Sequence, residues 1–169
     1  MTTLYLVRHG ETHDNAAQLM QGRSQGELNE KGIEQISQLT ENLQGKHFDA
    51  IISSDLKRAI DSAEIIARHL GQKLSTTTPL LEERDWGDFT GRFIPELKGL
   101  PFPDNMEKME DLLARAKAFI EWVKANYPEQ TILAVGHGII NKAIQAVFYG
   151  KTMREIDKMT NAECRILEL

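Results

Sequence analysis

Apolar positions recur along this chain at two spacings. Leu4-Tyr5-Leu6-Val7, Phe48 to Ser53 and Ile132-Leu133-Ala134-Val135 are short continuous runs of the length of buried strands. The terminal Cys164-Arg165-Ile166-Leu167-Glu168-Leu169 alternates as an edge strand does, and Gln72 to Thr77 reads as a short extended piece. Between these runs the period lengthens to that of a helix. Ile33, Ile36, Leu39 and Leu43 form one stripe, entered at Asn29 as N-cap and stopped at Gly45. Leu56, Ala59, Ile60, Ala63, Ile66, Ala67 and Leu70 form a second, with Asp55 as its expected cap and Gly71 as its end. A third helix is expected from Met106 to Asn126, before Pro128, and a fourth from about Ile139 to Tyr149, closed by Gly150. The polar stretch His13 to Glu27 reads as a loop. Thr78 to Pro103 reads as a long irregular segment with one helical turn near Pro95 to Leu100.

Strands alternating with helices predict an α/β domain, a three-layer sandwich with a mainly parallel sheet between helices. No linker, repeat or low-complexity tract divides it, so residues 1–169 are expected to form one domain. Composition adds bounds on function. A net charge of −5 argues against nonspecific nucleic-acid binding, which needs a basic face. An anionic substrate must then be held by local arginines. The single cysteine, Cys164, excludes an internal disulfide and a cysteine-rich zinc site. No basic n-region opens the chain and no apolar run is long enough to span a membrane, so a cytoplasmic protein without membrane contact is expected. Oligomeric state is not readable from the sequence.

Candidate chemistry gathers where strands stop. The first runs into Arg8-His9-Gly10-Glu11-Thr12, the second into Ser54-Asp55-Leu56-Lys57-Arg58, and the third into Gly136-His137-Gly138. Ligands of open α/β sheets bind past the carboxyl ends of the strands. Two guanidinium forks there, Arg8 and Arg58, match the oxygens of a phosphoryl group. A neutral imidazole can attack phosphorus and divide the displacement into two steps.

These same segments closely resemble the signature of the histidine phosphatase superfamily, which includes the cofactor-dependent phosphoglycerate mutases. The resemblance rests on Leu6-Val7-Arg8-His9-Gly10-Glu11-Thr12, Gln21-Gly22-Arg23-Ser24, Ser53 to Ala59, Leu80 to Gly87 and Gly136-His137-Gly138. It implies a phosphoglycerate mutase-like fold and a phosphatase acting on a small phosphorylated metabolite, with neither metal nor organic cofactor. His9 would be the nucleophile, Arg8, Arg58 and His137 would hold the phosphoryl oxygens, and Glu83, rather than Glu82, would donate the proton. Asn15, Arg23 and Gly138 are the further candidate substrate contacts. Gln25 and Ser62 depart from the usual aspartate and threonine of the pattern. No adjacent arginine pair of the kind mutases use for a substrate carboxylate occurs between Arg92 and Glu107. The segment at about 87–106 is therefore read as a short lid that sets specificity.

Mutase-type transfer, a protein phosphohistidine phosphatase and a binding module without turnover remain as alternatives. His13, four residues after His9, is not read as a metal ligand, because Gly10 and the preceding strand make a helix there improbable. His47 and His69 are read as solvated, and Cys164 as a small core or edge residue. Trp86, Phe89, Phe93 and Phe102 divide between packing under the lid and lining the substrate site. Arg84 is read either as part of that wall or as a surface charge.

Overall fold

The computed structural model describes residues 1–169. Five strands, β1 (Thr3–Arg8), β2 (Ala50–Ser53), β3 (Thr76–Thr77), β4 (Thr131–Gly136) and β5 (Cys164–Glu168), form one sheet in the order β3-β2-β4-β1-β5. All neighbours are parallel except β5, which runs antiparallel along β1 at the edge. The strand period of two sends side chains to alternate faces. Leu4, Leu6, Ala50, Ile52, Ile132 and Ala134 meet α4 (Met109–Asn126) and α5 (Gly138–Tyr149) on one side. Val7, Ile51, Leu133 and Val135 meet α2 (Glu30–Asn42) and α3 (Lys57–His69) on the other. Ile36 and Ile66, both fully buried, anchor that second layer, each contributing about 1.5–3 kcal/mol of burial. The α/β three-layer class read from the pattern is the one observed.

Local departures have local causes. Part of the stretch expected to be a loop, His13–Ala16, is a single helical turn, α1, held by a capping box between Thr12 and Asn15. A four-residue helix is too short to leave a period in the sequence. Asp55 does not cap α3, whose N-cap is Leu56. Gln25 does this work from a distant loop, its Oε1 accepting the Lys57 amide at 2.9 Å. Helix α4 begins at Met109 rather than Met106, because the Glu107 amide donates to the Asp85 carbonyl at 2.8 Å. The irregular segment holds three isolated 3₁₀ turns, Pro79–Leu81, Gly87–Phe89 and Ile94–Leu97.

Register fixes the site. Arg8 pairs with Gly136 and Ser53 with Val135, so β1, β2 and β4 end side by side. His9, Ser54 and His137 follow directly on those ends. Just beyond, the chain passes so close to α2 that a Cβ on Gly10 would stand 2.5 Å from the Gly32 carbonyl oxygen. A Cβ on Gly32 would in turn strike the Glu11 carbonyl. Two glycines therefore let the loop carrying His9 lie flat on the start of α2.

Candidate active site

A cavity of about 270 Å³ opens at the carboxyl ends of these strands. Arg8, His9, Asn15, Arg58, Glu83 and Gly138 all line it, and the His137 ring lies with its centroid 5.1 Å from that of His9. His9 is 2 % exposed and its Nδ1 lies 2.7 Å from the Gly10 carbonyl oxygen. A carbonyl only accepts, so Nδ1 carries the proton and Nε2 keeps its lone pair. Burial, with Arg58 and Arg8 nearby, holds His9 well below the ordinary histidine range despite the opposing Gly10 bond. The imidazole is thus neutral at physiological pH, as a nucleophile must be.

His137 is fully buried, and its Nε2 lies 2.7 Å from the Ser54 hydroxyl, while Nδ1 has no partner. Burial and then Arg58 hold it, too, well below the usual range. Arg58 extends from α3 with 1 % exposure. Its Nη groups donate to the carbonyls of Gly22, Ser24 and Gln25, and its buried Nε is unpartnered. Burial lowers its pKa to about 10, which leaves it charged at neutral pH. Arg8 donates Nη1 to the Met159 carbonyl at 2.7 Å, and its buried Nε is also free. Unpaired buried donors converging on one cavity leave room for an oxyanion.

Glu83 sits against the start of α5. Its carboxylate accepts from the amides of Arg84, Ile139 and Ile140 at 2.9, 3.1 and 3.0 Å. Glu82 points elsewhere, pairing with Arg23 at 3.3 Å. Arg23 also reaches Glu107 at 3.6 Å, is exposed, and is not among the side chains lining the cavity. Arg84 is neither wall nor surface charge: 7 % exposed, it lies over the Trp86 ring at 5.0 Å and donates to the Glu107 carbonyl. Trp86 lines the cavity, buried Phe89 meets Phe102 edge-on, and Phe93 and Phe102 are exposed. The half-buried Cys164 sits on β5, its thiol pushed up to about 12 by burial.

Several supporting groups are given no role at the site by the sequence. Ser54 fixes the His137 ring, and the Ser62 hydroxyl accepts from the Gly10 amide at 3.1 Å while donating to the Arg58 carbonyl. Asn161 donates to the His9 carbonyl and to Asn15 Oδ1. Lys158 lines the cavity, and Arg115 holds the backbone of the Glu83 segment. Only their spacing in the fold reveals them. The strand-end motifs are the exception, since each follows an apolar run.

With this geometry in place, comparison with known proteins is decisive. The model of the histidine phosphatase superfamily (branch 1) matches residues 4–169. The chain belongs to that superfamily. It is 34% identical over 167 residues to the phosphatase PhoE of Bacillus subtilis, spanning 96% of this chain and 86% of that protein. A probable phosphoglycerate mutase, GpmB of Proteus mirabilis, is 35% identical over 154 residues, spanning 82% and 71%. The solved structure of YhfR from Bacillus stearothermophilus superposes with a TM-score of 0.92 at 27% identity, covering 100% of this chain and 92% of that one. This histidine phosphatase is accordingly an enzyme of the phosphatase class. No helix in it is long and apolar enough to cross a membrane.

Proposed function

We propose that this histidine phosphatase hydrolyses a small phosphate monoester through a phosphohistidine on His9. The observation that carries the reading is the Nδ1–Gly10 bond, which leaves Nε2 of a neutral His9 as the nucleophile beside two guanidiniums. Nε2 attacks phosphorus, the ester P–O bond breaks, and the leaving oxygen takes a proton from Glu83, which enters this step as the carboxylic acid and leaves it as the carboxylate. Water then attacks the phosphohistidine, its proton passes to Glu83, and the P–N bond breaks to release inorganic phosphate. Arg8, Arg58 and His137 balance the charge on the phosphoryl oxygens, a role that asks mainly for positioning and fixed charge. No three His, Cys, Asp or Glu side chains gather as metal ligands.

A cavity of about 270 Å³ favours a small metabolite over a protein substrate. Its wall includes Ile94 of the segment at about 87–106 and Trp86 at the entry to it, so this segment sets which ester is used. Hydrolysis is favoured over mutase transfer by the absence of an adjacent arginine pair between Arg92 and Glu107.

Rapid quenching with a phosphorus-labelled ester tests this reading. An acid-labile, base-stable label on the wild type, absent from His9→Ala, is expected. Label on another residue would overturn it. Isomer interconversion dependent on a bisphosphoglycerate primer, faster than phosphate release, would establish the mutase instead.

A further inference from the structure

We infer that Lys158 is a specificity residue that selects phosphate monoesters bearing a second anionic group, a carboxylate or another phosphate, on the leaving side. This rests on the phosphatase reading of the same cavity. Lys158 lines the cavity together with Arg8, Glu83, Gly138 and Ile139, yet its Nζ appears in none of the protein's ion pairs. It makes no side-chain hydrogen bond either. The two arginines differ from it, since Arg58 is bonded to three carbonyls and Arg8 to one. Its backbone neighbourhood, by contrast, is fixed. The next residue, Met159, is 1 % exposed, its carbonyl takes the Arg8 guanidinium, and its sulfur meets Asn141. The chain thus presents one unpaired ammonium, on a flexible stem, from a rigid base.

Its company makes an anion the natural partner. A Cβ built on Gly138 would lie 3.4 Å from both Arg8 Cζ and Lys158 Cε, so the two cations flank one glycine at the start of α5. Three cationic side chains line the cavity against one carboxylate, Glu83, in a protein of net charge −5. Partial burial, and then Arg8, lower the Lys158 pKa, with Lys142 acting the same way and Glu83 opposing. Such crowding of like charge is relieved when an anion binds.

Depth decides which part of the substrate Lys158 meets. The phosphoryl group must reach Nε2 of His9, among residues no more than 2 % exposed: His9, Arg58 and His137. Lys158 is exposed, so it belongs to the outer part, where the organic portion of the ester lies. Leu19, Met20, Trp86 and Ile94 supply the apolar lining and no second cation. The ligand class is therefore a small phosphate ester whose organic part carries an anionic group within a few bonds of the ester oxygen.

Binding of two inert phosphonates, 3-phosphonopropionate and propylphosphonate, measured by titration calorimetry, tests this without requiring turnover. The wild type is expected to bind the carboxylate member about tenfold more tightly, as a charged hydrogen bond at a partly desolvated site allows. Lys158→Met is expected to erase the preference, leaving the pair within about twofold, and Lys158→Arg to restore part of it. Ethane-1,2-bisphosphonate, set beside ethylphosphonate, shows whether a second phosphate group serves as well as a carboxylate; preference for either one supports the assignment. No preference in the wild type, or a Lys158→Met variant that weakens both ligands equally, would overturn it and make Lys158 part of the phosphoryl clamp. Hydrolysis of 2-phosphoglycolate and ethyl phosphate, run in parallel, reports separately on the phosphatase reading. Selective binding without phosphate release would leave the subsite standing and remove that reading, whereas phosphate release without selectivity would do the reverse.

Discussion

The Glu107 carboxylate receives both Nε and Nη2 of Arg115, at 3.1 and 2.9 Å, in a two-pronged pair only 10–13 % exposed. The remaining terminal nitrogen, Nη1, donates to the carbonyls of Leu80 and Glu82 at 3.0 and 2.6 Å. Glu107 also accepts the Asp85 amide and, through its own carbonyl, the Arg84 guanidinium. Although burial works against it, Arg115 keeps the Glu107 carboxyl below its ordinary range. This ion pair thus fixes the backbone that carries Glu83 into the cavity.

Breaking that pair should cost both stability and proton delivery. Arg115→Met leaves the Glu107 carboxylate with only Arg23 and the Asp85 amide and removes the donor to two carbonyls, a loss of about 3 kcal/mol in urea unfolding. In the folded variant, kcat on an alkyl phosphate should fall more than kcat on an aryl phosphate. Equal losses on the two esters would mean that Arg115 does not act through Glu83. Arg115→Lys keeps the charge without the fork and should recover stability only in part.

Glu83→Gln should slow hydrolysis of alkyl phosphates by roughly 10²–10⁴-fold, the usual worth of a general acid. Aryl phosphates depart with little protonation, so their loss should be much smaller. The amide oxygen can still accept from Ile139 and Ile140, which leaves the local geometry supported. An unchanged ratio between alkyl and aryl esters would remove Glu83 as proton donor and turn attention to Glu82.

Two histidines buried neutral make stability depend on pH. In the unfolded chain each titrates near 6.5, whereas in the folded protein both lie well below it. Between those values the unfolded state binds more protons, so stability is full above about pH 6.5 and declines as pH falls. The slope approaches about 1.4 kcal/mol per pH unit for each histidine. Urea midpoints measured from pH 7.5 to 5 should show this decline, and His137→Asn should reduce the slope by half. A flat profile would mean that the rings are not held neutral. For the same reason, kcat/KM should not lose its nucleophile near pH 6.5.

Gly32→Ala should be among the most damaging single-methyl additions in the chain. The new Cβ meets the Glu11 backbone, which has no flexible end to move aside. Overpacking of this kind costs about 1–3 kcal/mol and displaces the loop that carries His9. Gly45→Ala, where nothing lies within 4 Å of the added Cβ, separates steric damage from the strain of a left-handed glycine. Comparable phosphohistidine yields for wild type and Gly32→Ala would show that the Gly10–Gly32 contact does not position the nucleophile.

The sequence by itself determined the layers and the strand-end residues of the candidate site. Periods of two and of 3.6 are properties of local backbone geometry, so Leu4 to Val7, Ile132 to Val135 and the stripes of α2 and α3 announce themselves within a few residues. Arg8-His9, Arg58 and His137 were legible because each follows such a run, at the end of the sheet where ligands bind. Tertiary structure alone decided the rest. Gln25, not the adjacent Asp55, satisfies the first amide of α3, because a cap needs only an oxygen in place and the loop brings one. Ser54, Ser62, Asn161 and Arg115 reach the site from 32 to 152 residues away along the chain, through contacts no local pattern encodes. Lys158 is an unremarkable lysine until the antiparallel return to β5 seats its segment beside Arg8. A local period fixes what each element is; which distant side chains share a cavity follows only from the sheet order and register that bring the elements together.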